Sequence, residues 1–498
     1  MSELSYLALY AALFGVVVHL SVFITGEWHL RVAGVVTIHS LVLVLMAFWS
    51  SEPIPKALLP IFILFSSYLL GLFGSITVYR LFFHRLRRFP GPRLAALTKL
   101  WHVYQCRDSR NHMVLDALHK QYGTFVRTGK DYLYVKSHPG WSHSANTWAI
   151  EIGPEEITIF HPGVFEFMDG AGNRNTRAEW YDLIHPLVSP VFSRTSEDHR
   201  VRRQIWNQAL SHKAIQDYLP RITAQVDVLE QVISTYGTQP VPLNDVMMWF
   251  AFDSMGEFAF NQSFDMMKTG KWHEVIKQQR SALSLLGPMN PAVWAMRFGF
   301  AFAPFVPATS PELPDVAHWL IKEYESTEAE TTKKGRENLL VGNAATVIVG
   351  GSDTIGPSLI SILYFLALYP EYADGIFHEI DTVDISDTTL LAKLPLLNGF
   401  INEAMRLIPA ALTMGTRITP PEGLKIDGTW IPGGTRIAGP RYTIFRMERA
   451  FVQPLEFIPE RWHSRPELVR DKQAFAPFGV GKLTSLIGQV VEHAWEKA

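Results

Sequence analysis

The chain has 498 residues, room for one large catalytic domain or for two or three ordinary ones. Its 45 Lys and Arg nearly balance 47 Asp and Glu, so no global charge points to nucleic acid as a partner. A single cysteine excludes an internal disulfide and fits a reducing compartment. Mean hydropathy is +0.08, and the apolar excess is concentrated before the arginine-rich stretch that begins near Arg80.

Three apolar runs open the chain, at Tyr6–Thr25, Val32–Trp49 and Leu58–Phe82. A helix needs about 20 apolar residues to cross a bilayer core. The first and third runs are long enough; the second is shorter and carries His39. Residues 1–88 are therefore expected to form a membrane anchor of two or three transmembrane helices. No basic segment precedes the first run and further runs follow it, which argues against a cleaved signal peptide. Arg80, Arg85, Arg87, Arg88 and Arg93, with His84 among them, gather at the end of the third run. Basic residues beside a span favour the cytoplasmic side, so the bulk of the chain is expected in the cytosol. The same arginines are placed to meet anionic membrane lipid.

Phe89-Pro90-Gly91-Pro92-Arg93 cannot continue a helix and reads as a stiff hinge into a second domain, 89–498. Leu94–Tyr122 has a helical pattern, and Thr124–Arg127 and Glu156–Phe160 read as short strands. Between the strands, Lys130–Ile152 keeps neither a helical nor a strand period. It is read as an atypical insertion, because Gly129 would join cleanly onto Gly153; the alternative is an ordinary long surface loop. From Asn175 to Lys393 the chain reads mostly as helices, including Asp198–Leu210 and Leu339–Tyr369. Strand signals return over Gly423–Ile437, with turns at Asp427-Gly428 and Pro432-Gly433-Gly434. The fold class is mainly α with a minor β part.

Several groups of residues carry chemistry. Gly350-Gly351-Ser352-Asp353-Thr354 lies inside the long apolar helical pattern. Interior helix glycines cost about 1 kcal/mol each relative to alanine. They leave room for a flat ligand, and an acid beside a hydroxyl can organise water and pass protons; a kinked core helix with back-bonded hydroxyls is the other reading. His199 and Arg203, at i,i+4, share one face of a basic helix, either an anion cradle or a solvated surface. Glu403 and Arg406, at i,i+3, share a face of another helix, and Pro459-Glu460-Arg461-Trp462 follows later. Near the end stands Phe475-Ala476-Pro477-Phe478-Gly479-Val480-Gly481. No zinc spacing, phosphate-binding loop, dinucleotide fingerprint or nucleophile elbow stands out.

In this order, apolar anchor, proline hinge, basic helix, Gly-Gly-x-Asp-Thr, Glu-x-x-Arg, Pro-Glu-Arg and Phe-x-x-Gly, the motifs resemble those of the cytochrome P-450 superfamily, from Phe89 to about Val491. The nearest resemblance is to fungal membrane-bound members of secondary metabolism. It implies a cytochrome P-450-like fold behind transmembrane helices, a haem cofactor, and a monooxygenase that oxidises an apolar small molecule. It also implies electrons from NADPH through a separate NADPH-cytochrome P-450 reductase, and an endoplasmic reticulum membrane location. By the same resemblance Asp353 and Thr354 handle protons, and Gly350, Gly351, Phe478 and Gly481 line the haem. His199 and Arg203 would hold one haem propionate and Arg417 the other, while Glu403, Arg406 and Arg461 form a structural network.

The sequence departs from the family pattern at one decisive place. The haem-ligating cysteine should stand four residues after Gly481, where this chain has Ser485; its one cysteine is Cys106. A thiolate pushes electron density onto haem iron, and serine supplies none. Counting back from Gly488 puts the ligand at Leu486 instead, so the loop length also differs. The family continues for several tens of residues beyond the point where this chain ends, at Ala498. No metal ligand is therefore assigned, and a second expectation stands beside the enzyme. This is a non-catalytic or defective P-450-like membrane protein without stable haem, from a truncated or mis-spliced gene product.

Overall fold

The structure, a computed structural model, describes residues 3–23, 31–50, 53–92, 95, 99–128, 156–289, 333–385, 387–413 and 415–481. The candidate insertion at Lys130–Ile152, and Ser485 with the residues around it, lie outside this set. Helices dominate, with short strands as the minor part. The chain divides into two compact units. One is Met1–Ile159 with Leu285–Pro307 and Ile418–Ala438; the other is Phe160–Ser284 with Ala308–Arg417 and Gly439–Ala498.

The first unit opens with α1 (Glu3–Val18), α2 (Val32–Trp49) and α3 (Ile54–Val78). α1 and α3 run on through π-helical turns to Phe23 and Phe83, and all three are long and apolar enough to cross a membrane. Leu13, Phe48, Phe62 and Leu70 point outward, an arrangement that suits lipid and not water. In lipid the hydrophobic effect does not hold helices together, so close packing and hydrogen bonds must. α1 and α3 meet backbone to backbone. A Cβ on Gly15 would collide with the Tyr68 carbonyl oxygen, and one on Gly71 with that of Ala12. His19 Nδ1 and Ser75 Oγ lie 2.7 Å apart across the same pair of helices. His39, the polar residue that makes α2 look marginal as a span, shares a 3.0 Å hydrogen bond with the Tyr68 hydroxyl of α3.

Beyond α3 the chain is stapled to the first strand. Arg127 N donates to the Pro90 carbonyl at 2.6 Å, the Arg127 guanidinium donates to His84 Nδ1, and a Cβ on Gly91 would strike the Arg127 carbonyl. The strand Phe125–Arg127 pairs antiparallel with Glu156–Ile159, which runs parallel to Arg436–Ala438. Strands Leu424–Ile426 and Thr429–Ile431 form a hairpin. Its turn residues Asp427 and Gly428 both have positive φ, 49° and 77°, the tight geometry whose twist matches paired strands.

The staple sets where the apolar helices can be cut away. His84, Leu86 and Phe89 are buried. A chain beginning at His84 is expected to move into the soluble fraction with its melting temperature kept. A chain beginning at Leu94 should also leave the membrane but lose stability, since burying a Leu or Phe side chain contributes about 1.5–3 kcal/mol each. Fractionation and thermal melts of the two chains check this; full-length protein that is soluble without detergent would overturn the anchor.

The second unit is built on the helix Lys333–Leu368, 36 residues long. Against it lies Leu243–Phe260, whose residues Val246–Gly256 are all buried. A helix apolar all round belongs in a core. Glycines on the long helix receive methionines from its neighbour: Cβ atoms on Gly351 and Gly356 would strike Met255 and Met248. Although the stretch Glu337–Leu368 is also long and apolar enough to be a span, this packing and the Ser352 Oγ bond to the Ala251 carbonyl at 3.3 Å mark it as a core helix. The helix Pro395–Leu407 packs Phe400, Ala404 and Leu407 with Phe365 and Phe457 in a further buried cluster.

Candidate functional site

Three features of the second unit converge on one chemistry. The first is a buried group of cations. Asp169 ends the short helix Val164–Asp169, and Arg417 meets it with both arms: Nε to Oδ1 at 2.6 Å and Nη2 to Oδ2 at 2.9 Å. Arg417 Nη1 also donates to the Tyr181 hydroxyl at 2.7 Å. Burial opposes the Arg417 charge, but Tyr181 and Asp169 offset this and hold its pKa above the ordinary value. Arg177 donates to the Pro190 and Ser193 carbonyls at 2.6 and 2.8 Å, and its Nε is buried without a hydrogen-bond partner. Burial pushes Arg177 down to about 10, and Arg417 and Arg203 add to the shift. Arg441, also pushed down to about 10 by burial, donates to the Ala476 carbonyl at 3.0 Å.

His199 and Arg203 come from the basic helix Ser196–Ala209, which Trp206 docks on the long helix through Asn343 Oδ1 at 3.3 Å. His199 is buried and pushed down to about 4, first by burial and then by Arg177, Arg203 and Arg417. Its unfolded counterpart titrates near 6.5. Between these values the unfolded chain takes up a proton that the folded chain refuses, so stability should fall as the pH drops from about 6.5 towards 4. The loss should approach about 3 kcal/mol. Urea midpoints at neutral and mildly acid pH, for the native chain and for His199→Gln, check it: the variant should lose this part of the slope.

The second feature is the open face of the long helix. Among the described residues no atom beyond the helix's own backbone lies within 4 Å of where a Cβ on Gly350 would stand, and Gly350 and Thr354, at i,i+4, are both exposed. Thr354 Oγ1 donates back to the Gly350 and Gly351 carbonyls at 2.8 and 3.1 Å. Asp353, half-buried, has its carboxyl pKa raised by burial, against the pull of Arg280. The two glycines, expected to serve together, do different work. Gly350 faces open space, whereas Gly351 is turned into the core to admit Met255.

The third feature is a buried network behind the loop Phe475–Gly481. Glu403 accepts from Arg406 Nε and Nη2 at 2.9 and 2.8 Å, from Arg461 Nε at 2.9 Å, from Ile458 N at 2.9 Å and from Trp462 Nε1 at 3.0 Å. Arg406 also donates to the carbonyls of Phe445, Pro454 and Glu456. Trp462 carries the Phe475 ring, centroids 4.4 Å apart, and so props the start of the loop. Further along, Phe478 is half-buried, and Gly479 and Gly481 have positive φ, 87° and 65°. A Cβ on Gly481 would collide with the Asp169 carbonyl. The loop therefore lies directly on the acid that holds Arg417.

The arrangement fits an anionic, flat group. Among the described contacts Asp169 is the carboxylate in the cation group, while Arg177, His199, Arg203, Arg417 and Arg441 supply donors. The orphaned Arg177 Nε leaves one buried donor unspent. Two carboxylates, as haem carries, suit that surplus. Sequence reasoning placed His199, Arg203 and Arg417 here but missed Asp169, Arg177, Tyr181 and Arg441. These lie in short irregular stretches with no spacing signal, and only the fold gathers them.

The second unit thus combines a long apolar helix, a group of arginines around Asp169, and a Glu-Arg-Arg network beside a glycine loop. The cytochrome P-450 family profile matches residues 148–309 and 309–483. Cytochrome P-450 monooxygenase FCK2 of Fusarium pseudograminearum is 31% identical, over 94% of this chain and 86% of that protein. Cytochrome P-450 monooxygenase phqL of Penicillium fellutanum is 33% identical, over 95% and 84%. Tryprostatin B 6-hydroxylase of Aspergillus fumigatus is 31% identical, over 95% and 85%. Among solved structures, the haem domain of cytochrome P-450DA superposes with a TM-score of 0.56 at 16% identity, over 78% of this chain and 84% of that one. The chain belongs to the cytochrome P-450 family. It is an enzyme of the monooxygenase type, acting on a small molecule.

Proposed function

We propose that the second unit holds haem with its carboxylates in the Arg177–His199–Arg203–Arg417–Arg441 group and its ring beside Gly350. Among the described residues, Arg177 and Arg441 are buried beside the Asp169–Arg417 pair, and the buried Arg177 Nε has no hydrogen-bond partner, which supports this reading most directly. When bound, haem iron supplies the oxygen chemistry of the family. The chain's own residues then orient and protonate. Asp353 has its carboxyl pKa raised by burial, so it holds a proton more readily than an exposed carboxyl does. Thr354 can turn its hydroxyl from the Gly350 carbonyl towards a ligand on the open face. The substrate is an apolar small molecule of fungal secondary metabolism, with NADPH-cytochrome P-450 reductase as electron donor. The apolar helices support a membrane location, for which we assign the endoplasmic reticulum with the large domain in the cytosol.

Haem titration of the purified chain, followed by visible absorbance, tests the cradle. Arg203→Gln removes one charged donor, and a charged hydrogen bond contributes about 1.5–3 kcal/mol, so capture should weaken about tenfold or more. Unchanged capture would remove Arg203 from the cradle. One observation favours a second reading, a body that binds without turning over. The chain's single thiol, Cys106, is buried in the first unit and donates to Asn111 Oδ1 at 3.3 Å.

A further inference from the structure

Where the chain leaves the apolar helices, the first unit contains an open cavity of about 550 Å³ that the haem reading does not use. Arg88, five residues past Phe83 at the end of the apolar helix, lines it with Phe89 and Pro90, and the aromatic residues Tyr122, Phe125 and Trp430 stand among its other lining residues. Among the described residues no acidic side chain lines it. Arg88 is exposed, its guanidinium 5.0 Å from the Phe89 ring centroid. Trp430, beside the hairpin turn, is 46% exposed. An exposed Trp is poorly suited to water and well suited to the headgroup level of a bilayer. The Arg85 Nη1 bond to the Gly433 carbonyl ties the hairpin segment to the end of the anchor, which keeps this wall next to the span.

A cation at the mouth and aromatic faces inside fit one kind of molecule, an anionic head on an alkyl chain. We propose that this cavity binds an anionic phospholipid from the leaflet facing the domain, the phosphate on Arg88 and the upper acyl chain on Phe125 and Trp430. The lipid supplies both parts at the place where the anchor delivers the cavity. This rests on the membrane reading of the anchor and is independent of haem.

The test reconstitutes the full chain in phosphatidylcholine nanodiscs with and without phosphatidylserine, each carrying a trace of a photo-crosslinking serine or choline lipid. One basic side chain near an anionic surface changes binding about fivefold. The serine probe should therefore label the peptides bearing Phe125 and Trp430 about fivefold more than the choline probe. Arg88→Gln should remove that preference and Arg88→Lys should keep it; Trp430→Ala should lower labelling by both probes. Arg88 and Trp430 are exposed, so the variants should fold, and an unchanged tryptic map confirms that. Equal labelling by the two probes, a preference untouched by Arg88→Gln, label confined to 3–83, or displacement of the serine probe by inorganic phosphate each overturns the proposal. A chain that fails to enter the discs overturns the anchor first.

Discussion

Arg406→Ala is expected to leave no stably folded protein. Both Arg406 and Glu403 are fully buried, and Arg406 satisfies Glu403 twice and three backbone carbonyls once each. Stranding one charge of a buried pair costs about 3–5 kcal/mol. Each buried carbonyl left without its donor adds about 1–3 kcal/mol. The sum rivals the whole stability of an ordinary domain, about 5–15 kcal/mol. Arg461→Ala also takes a donor from the Val452, Gln453 and Leu468 carbonyls but should be the milder change, since Glu403 keeps both Arg406 bonds and those from Ile458 and Trp462. Expression yield and thermal melting of the two variants measure the difference. A well-folded Arg406→Ala protein would mean that the network adds little to stability.

The unmodified chain, reduced and treated with carbon monoxide, should show no thiolate-type absorption band. The ligand must be a cysteine, and Cys106 is buried in the first unit, bonded to Asn111. Ser485→Cys and Leu486→Cys put a thiol at the two positions given by counting from the two ends of the loop. A band from one and not the other fixes the register. A normal thiolate band from the native sequence would refute the assignment of Ser485, and absence from both variants would place the fault in loop length.

Much of the fold was legible because local chemistry dictates it. The Asp427-Gly428 pair specified its tight turn, and the apolar runs specified α1 to α3, including α2 despite its histidine. The helix expected over Leu94–Tyr122 is interrupted after Gln105 and resumes at Asn111, where Asp108, Ser109 and Arg110 dilute the apolar period; Ser109 adopts positive φ, 58°. Glu403, Arg406 and Arg461 were readable from spacing and resemblance, since their partners lie on regular elements. Asp169 and Arg177 were not: one closes a single helical turn and the other sits in a two-residue strand. Gly350 and Gly351 could not be told apart either. Successive helix residues point about 100° apart, and only Met255, from a distant segment, decides which is filled.

That contrast makes neighbouring glycines subject to opposite evolutionary pressures. Any side chain at 351 must displace Met255 from a packed core. An alanine at 350 would meet none of the described neighbours and would raise helix propensity by about 1 kcal/mol. Drift therefore has an unobstructed and mildly favoured path away from glycine at 350, unless an occupant of that face selects against the methyl group. Position 350 is in this sense a recorder of ligand history: in a lineage that had ceased to bind there, it would be among the first helix positions to change, while 351 stayed fixed by its methionine.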